Sequence, residues 1–126
     1  MRVLFSLCIS RVTEENYRAE YPIGLFKSSE DAEVERKRLM GEDGRFSTPD
    51  CNARIFEVEL IGEVNNDEQV YRFYGQNPAP SFEVDMVESP CYVDKSEAIE
   101  ALMKAKKHTP RQQWSLETYT VGKCNW

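Results

Sequence analysis

Apolar and polar residues alternate from the start of the chain. Val3, Phe5, Leu7 and Ile9 fall on one side of a period-two pattern, and Leu4, Ser6, Cys8 and Ser10 on the other. That period is the signature of a strand with one strongly apolar face. Residues 11–21 are polar and aperiodic and read as a loop; residues 22–26 form a short extended piece. The period then changes. Ser28 is followed three residues later by Asp31, with Glu30, Asp31 and Glu33 in the first turn and Arg36, Lys37 and Arg38 in the last. This arrangement satisfies orphan N–H groups at the start of a helix and complements its dipole at both ends. A helix is predicted through Leu39. Its thin apolar stripe (Ala32, Val34 or Glu35, Leu39, Met40) suits a helix that covers a sheet. Gly41 fits the C′ position, where φ > 0 is needed.

Alternation returns at residues 55–61, where Phe56, Val58 and Leu60 oppose Ile55, Glu57 and Glu59, and again at residues 70–74. Asn65-Asn66-Asp67 between them predicts a hairpin. After a Gly- and Pro-rich break at 75–80, Phe82, Val84 and Met86 alternate with Glu83, Asp85 and Val87. Asp94 and Glu97 form a second cap, and Ala98, Leu102 and Ala105, flanked by Ile99 and Met103, form the next stripe. Lys104, Lys106, Lys107 and His108 crowd its last turns, and Pro110 stops it. Trp114, Leu116 and Thr118 mark the final strand.

A shift of 66 positions lays the first of these units on the second. It carries Leu25-Phe26, Ser28 and Asp31 onto Cys91-Tyr92, Asp94 and Glu97, and Phe5 and Leu7 onto Tyr71 and Phe73. The second helix-to-strand connection is roughly eight residues shorter by this reading. The order predicts an α+β fold of the ferredoxin-like kind, a βαββαβ duplication. Two helices would lie on one face of an antiparallel sheet, with short extra strands at 22–26 and 82–87. The whole would form a single domain over residues 1–126, with halves at about 1–63 and 66–121.

At 126 residues, 40% hydrophobic and 30% charged, the chain can build a core without covalent staples. Its four cysteines are far apart, with no Cys-x-x-Cys spacing, so free thiols are expected rather than a zinc or redox site. No apolar run reaches the roughly 20 residues of a membrane helix. The stretch from Val3 to Ile9 lacks the cleavage site of a signal peptide, so a cytoplasmic protein with no membrane contact is expected. The net charge of −6 argues against nucleic acid, despite the basic run from Lys104 to Arg111 and the nearby Trp114, and leans toward a basic protein partner.

Catalytic signatures are missing. His108 has no orienting partner near it in sequence and reads as a charge at a helix C-terminus; no nucleophile elbow, His-Glu-x-x-His or phosphate loop occurs. The chain is expected to be no enzyme and to use no cofactor or metal. The remaining candidates are carboxylates: Glu57 and Glu59 share one strand face, and Glu83 and Asp85 repeat the arrangement on another. On neighbouring strands the four would share one surface, either a solvated sheet face or an acidic surface that meets a basic protein. These four are the expected partner-binding residues.

The run Gly24-Leu25-Phe26-Lys27-Ser28-Ser29-Glu30-Asp31-Ala32, with a strand before it and Phe56-Glu57-Val58-Glu59-Leu60 after it, resembles a module of small uncharacterised bacterial and phage α+β proteins. That resemblance implies no agreed activity. In size, acidity and lack of catalytic motifs the chain is also similar in type to immunity proteins that neutralise toxins passed between bacteria. The expectation is a small non-catalytic cytoplasmic protein that covers a basic partner, as an immunity or inhibitor protein does. The alternatives are a ferredoxin-like regulatory domain that binds a small ligand and forms a homodimer through its sheets, and a phage or bacterial accessory protein.

Overall fold

A computed structural model describes residues 2–12, 18–41, 44, 51–76, 87–110 and 112–124, with residues 11, 12 and 18–20 described by backbone alone. Among these residues lie seven strands and two helices: β1 (Val3–Val12), β2 (Arg18–Phe26), α1 (Ser29–Met40), β3 (Cys51–Ile61), β4 (Gln69–Gln76), β5 (Val87–Glu88), β6 (Cys91–Tyr92), α2 (Lys95–His108) and β7 (Gln113–Thr120). β1 is flanked by β2 and β3, both antiparallel to it, and α1 crosses over between those flanking strands. β4 is flanked by β7 on one side and by β5 and β6 on the other, again antiparallel, and α2 joins β6 to β7. The two groups meet where β6 runs parallel to β3, Leu60 opposite Cys91 and Ile61 opposite Tyr92.

This topology overturns the ferredoxin-like expectation. The sheet is mixed, mostly β in content, and strongly curled into a half-barrel. A ferredoxin-like sheet interleaves the strands of its two halves; here each half keeps its own strands side by side. The piece at 22–26 is not an ornament. It is the end of a nine-residue strand that pairs with β1 as far as Val12–Arg18, so residues 11, 12 and 18–21 of the expected loop are strand. The expected hairpin between residues 55–61 and 70–74 does not form either, because β6 lies between those strands. The strand expected at 82–87 falls mostly outside the described residues, and only its last position, Val87, is seen, in β5.

The 66-residue offset recurs in the pairing. Phe5 faces Phe26, and Tyr71 faces Tyr92. Across the other edge the offset is 61, since Phe5 faces Glu57 and Tyr71 faces Thr118, so the second helix-to-strand connection is five residues shorter rather than eight. Buried residues follow the same shift: Leu4 and Val70, Leu7 and Phe73, Leu25 and Cys91, Ala32 and Ala98. The two alanines have no exposed surface, so both helices rest on the sheet at the same point.

Curling gives the sheet two dry faces. Inside lie Leu4, Leu25, Val58, Val64, Val70, Tyr74, Cys91, Tyr119 and Val121. Outside, beneath α1, lie Leu7, Ile9, Ile23, Phe26, Ala32, Leu39 and Ala53. Ser6, Cys8 and Ser10 are therefore buried although the alternation marks them as the wetter side of β1. A bulge aids the curl: Leu7 faces Gly24 and Cys8 faces Pro22, which leaves Ile23 as the extra residue. At the closed end, the Gly122 N–H donates to the Leu25 carbonyl at 2.8 Å and Gly24 bridges Cys124. A Cβ on Gly24 would approach the Lys123 carbonyl to 3.0 Å, tighter than side chains normally sit.

The caps form with one difference. The Ser28 hydroxyl accepts from Asp31 N–H at 3.1 Å as expected, whereas the Asp94 carboxylate accepts from Ser96, one position before Glu97. Gly41 ends α1 at φ −70°, so the left-handed cap is not used.

The core predicts an alkaline limit to stability. Burial raises the Tyr74 and Tyr119 phenols and pushes the Cys91 thiol up to about 11. Burial and the neighbouring Glu35 charge push Cys124 up to about 12. The folded chain thus keeps protons that the unfolded chain releases near pH 9–10, and each such group adds stability below that range that is lost above it. The melting temperature is expected to stay level from about pH 6 to 8.5 and to fall steeply beyond about pH 9.5. A melting temperature unchanged at about pH 11 would show that these groups are not sequestered.

Candidate functional site

Two hollows flank β3. The outer one, about 620 Å³, lies between α1 and the sheet. Phe5, Ile55 and Val34 give it an apolar lining, and Glu30, Glu33 and Glu57 give it an acidic one, with Lys37 as the opposing charge. Val34 is 69% exposed, an apolar side chain the fold leaves in water. Alternation along β3 carries Glu59 onto the same outer side as Glu57. Toward the second half Glu59 meets Tyr92. Burial first, and then the negative charges of Glu59 and Glu97, hold the Tyr92 phenol above its ordinary value. A carboxylate of β3 and one from the first turn of α2 therefore act on a single aromatic ring where the halves meet.

The ring is well supported. Phe73 stacks on Tyr92 with centroids 6.3 Å apart and tilts against Trp114 at 6.1 Å, while the Lys95 ammonium lies 5.9 Å from the Tyr71 ring. The acidic side chains differ in how far they are neutralised. Glu33 takes a charge-assisted hydrogen bond from Arg36, which holds its carboxyl below the usual range, and Arg38 does the same for Glu35. Glu57, Glu59 and Glu97 are exposed, and no ion pair reaches them among the described residues. What remains is a net negative strip over an aromatic and aliphatic floor.

The inner hollow, about 470 Å³, opens where β3 and β4 diverge, since β6 bridges them at one end only. Ser6, Cys8, Phe56, Val58 and Arg72 line it together with Glu88, Ser89 and Pro90, and Glu57 and Glu59 border it. Arg72 occupies an inward position between Val70 and Tyr74, and its side chain is 5% exposed. Its Nε donates to the Ser89 carbonyl at 2.8 Å, Nη1 to the Tyr74 hydroxyl at 3.1 Å, and Nη2 to a Glu88 oxygen at 3.3 Å. Ser89 is clamped in turn: its hydroxyl accepts from Phe73 N–H at 2.8 Å and its own N–H donates to the Phe73 carbonyl at 3.0 Å. The Tyr74 and Tyr119 hydroxyls share a hydrogen bond of 2.8 Å.

Of the four carboxylates expected to meet a partner, Glu57 and Glu59 stand exposed on β3, and Glu83 and Asp85 lie outside the described residues. Glu97 joins the first pair. Its place in a capping pattern gave no sign of its position beside Tyr92. Arg72 was also legible in principle, as a charge at the inward position of an otherwise apolar strand. His108 is the exposed last residue of α2. Among the described residues no cluster of His, Cys, Asp and Glu is arranged to hold a metal ion, and all four cysteines are unbridged. No helix is long and apolar enough to cross a membrane. Set against known protein families, curated proteins and solved structures, the chain matches none of them significantly.

Proposed function

We propose that this chain is a non-catalytic binding protein whose outer strip receives a basic segment of a partner protein, as an inhibitor or immunity protein would. One observation carries the reading: three exposed carboxylates free of ion pairs among the described residues lie along the outer side, Glu57 in the hollow lined by Phe5 and Ile55, and Glu59 and Glu97 close enough to Tyr92 for their charges to act on its phenol. Lysine or arginine side chains of a partner would meet the carboxylates, while an apolar neighbour covers Val34 and Phe5. Exposed charges of this kind steer encounter and set partner choice, and the aromatic floor supplies the anchoring area. Screening by salt is the expected signature.

The test uses a fluorescently labelled amphipathic peptide rich in lysine, followed by anisotropy. The double variant Glu57→Lys/Glu59→Lys is expected to bind it about tenfold or more weakly at low salt. The gap should narrow at about 0.3 M salt, where the screening length is short. Both positions are exposed, so circular dichroism should show the fold retained. Equal affinity for the two proteins, or an affinity indifferent to salt, contradicts the proposal.

A further inference from the structure

Of the two long strands at the margins of the sheet, only β2 is protected. Pro22 has no N–H to offer there, Ile23 is a bulge, Gly24 bridges Cys124, and the Leu25 carbonyl accepts the Gly122 N–H. β7 pairs with β4 and, among the described residues, with no other strand. It holds neither proline nor lysine, and Glu117 is its one charge. A strand left open in this way is a template for another extended chain.

The direction of its main-chain groups follows from the far side of β4. Phe73 turns its N–H and carbonyl to Ser89, away from β7. Phe73 and Leu116 face each other, so they occupy the kind of antiparallel position at which neither residue bonds the other. The Leu116 N–H and carbonyl therefore point out from the open edge. An unbroken register puts those of Trp114, two residues back, in the same state.

Apolar surface accompanies these groups. Trp114 and Leu116 are half-buried and share the outer side with Phe73. Over them, Glu97 of α2 acts on Tyr92, on the β6 side. Ile99 and Met103 lie about 200° and 240° further round the helix and so lean toward β7. They are 40% and 59% exposed.

We propose that β7 pairs with β7 of a second copy, antiparallel across a two-fold axis at Ser115, to make one continuous sheet. In that register Trp114 of each copy meets Leu116 of the other, and both pairs exchange their outward main-chain bonds. The same pairs set an indole against an aliphatic side chain on the outer side. On the inner side Gln113 meets Glu117 and Ser115 meets Ser115, so no like charges face each other. A foreign strand would satisfy the same main-chain groups. A second copy also brings another Ile99 and Met103 to cover the first pair, which is the self-complementary surface a closed two-fold dimer requires. The acidic strip lies along the opposite flank of α2 and stays open in the dimer.

Sedimentation velocity of the whole chain tests this. Dimer is expected at about 100 µM protein, with little dependence on salt because no ion pair spans the joint. Ser115→Asp and Ser115→Lys each bring like charges to within about 5 Å at the axis and should weaken dimerisation about tenfold or more at low salt. Ser115 is exposed, so circular dichroism should show both variants folded. Their equimolar mixture should associate at least as tightly as wild type, a rescue that only a two-fold at this position produces. Hydrogen exchange at the Trp114 and Leu116 amides should slow as wild-type concentration rises. A wild-type chain that stays monomeric at about 0.5 mM leaves the edge to another protein's strand and overturns the proposal. So does a mixture no tighter than either variant alone, or exchange at the two amides indifferent to concentration. Ser115→Asp should still bind the basic peptide as wild type does, so failure of the dimer and failure of the outer strip are told apart.

Discussion

Truncating Phe73 to Ala is expected to cost about 3–5 kcal/mol of stability, enough to threaten the fold of a chain this size. The ring is 6% exposed and lies between Tyr92 and Trp114, so its removal opens a void that two large aromatic neighbours cannot collapse into without losing their own contacts. The same residue's N–H and carbonyl both bond Ser89, which holds the segment between β5 and β6 against β4. Those main-chain bonds survive the substitution, so the loss comes from packing. Phe73→Leu, which keeps most of the volume, should cost about 1–2 kcal/mol. Urea denaturation measures both. A loss below about 1.5 kcal/mol for Phe73→Ala would mean that the floor of the outer strip is loosely packed.

Replacing Arg72 with Ala should be of similar size, about 3–5 kcal/mol, for a different reason. It strands the Ser89 carbonyl and removes a partner from the Tyr74–Tyr119 pair, all within the half-barrel. The ion pair with Glu88 contributes little by comparison, because Glu88 is 43% exposed and an exposed pair adds only about 0–1 kcal/mol. Glu88→Gln is therefore expected to cost no more than about 1 kcal/mol. Arg72→Lys should recover only part of the loss, since an ammonium cannot reach three acceptors in the plane of a fork. Denaturation midpoints of the three variants settle the order. Equal losses from Glu88→Gln and Arg72→Ala would put the stability in the salt bridge instead.

What was legible in the sequence was local. The helices, their caps and the 66-residue offset follow from spacing within a few turns, and they survive in the pairing of Phe5 with Phe26 and Tyr71 with Tyr92. Strand neighbours were not legible. Asn65-Asn66-Asp67 does make a turn, with Asp67 at φ 69° and Glu68 N–H donating to the Asn65 carbonyl at 3.2 Å. The strands on either side nonetheless part, because β6 arrives some thirty residues after β3 and takes the place between them. Alternation shows which residues share a face and says nothing of how that face curves. Ser6, Cys8 and Ser10 read as the wetter side of β1 until the curl encloses them.

The acidic strip shows the same division. Glu57 and Glu59 declare themselves by alternation on one strand. Glu97 is brought to them only because β6 runs parallel to the end of β3, which places the first turn of α2 beside Tyr92.

The most direct test of the partner-binding reading is an amide chemical-shift map of the isotopically labelled chain titrated with the basic amphipathic peptide. The expected result is a continuous set of shifts over Phe5, Val34, Ile55, Glu57, Glu59, Tyr92 and Glu97, spanning both halves and diminishing as salt is raised. Saturating peptide that leaves those seven amides in place, or that moves only residues on the far side of the sheet, would contradict it.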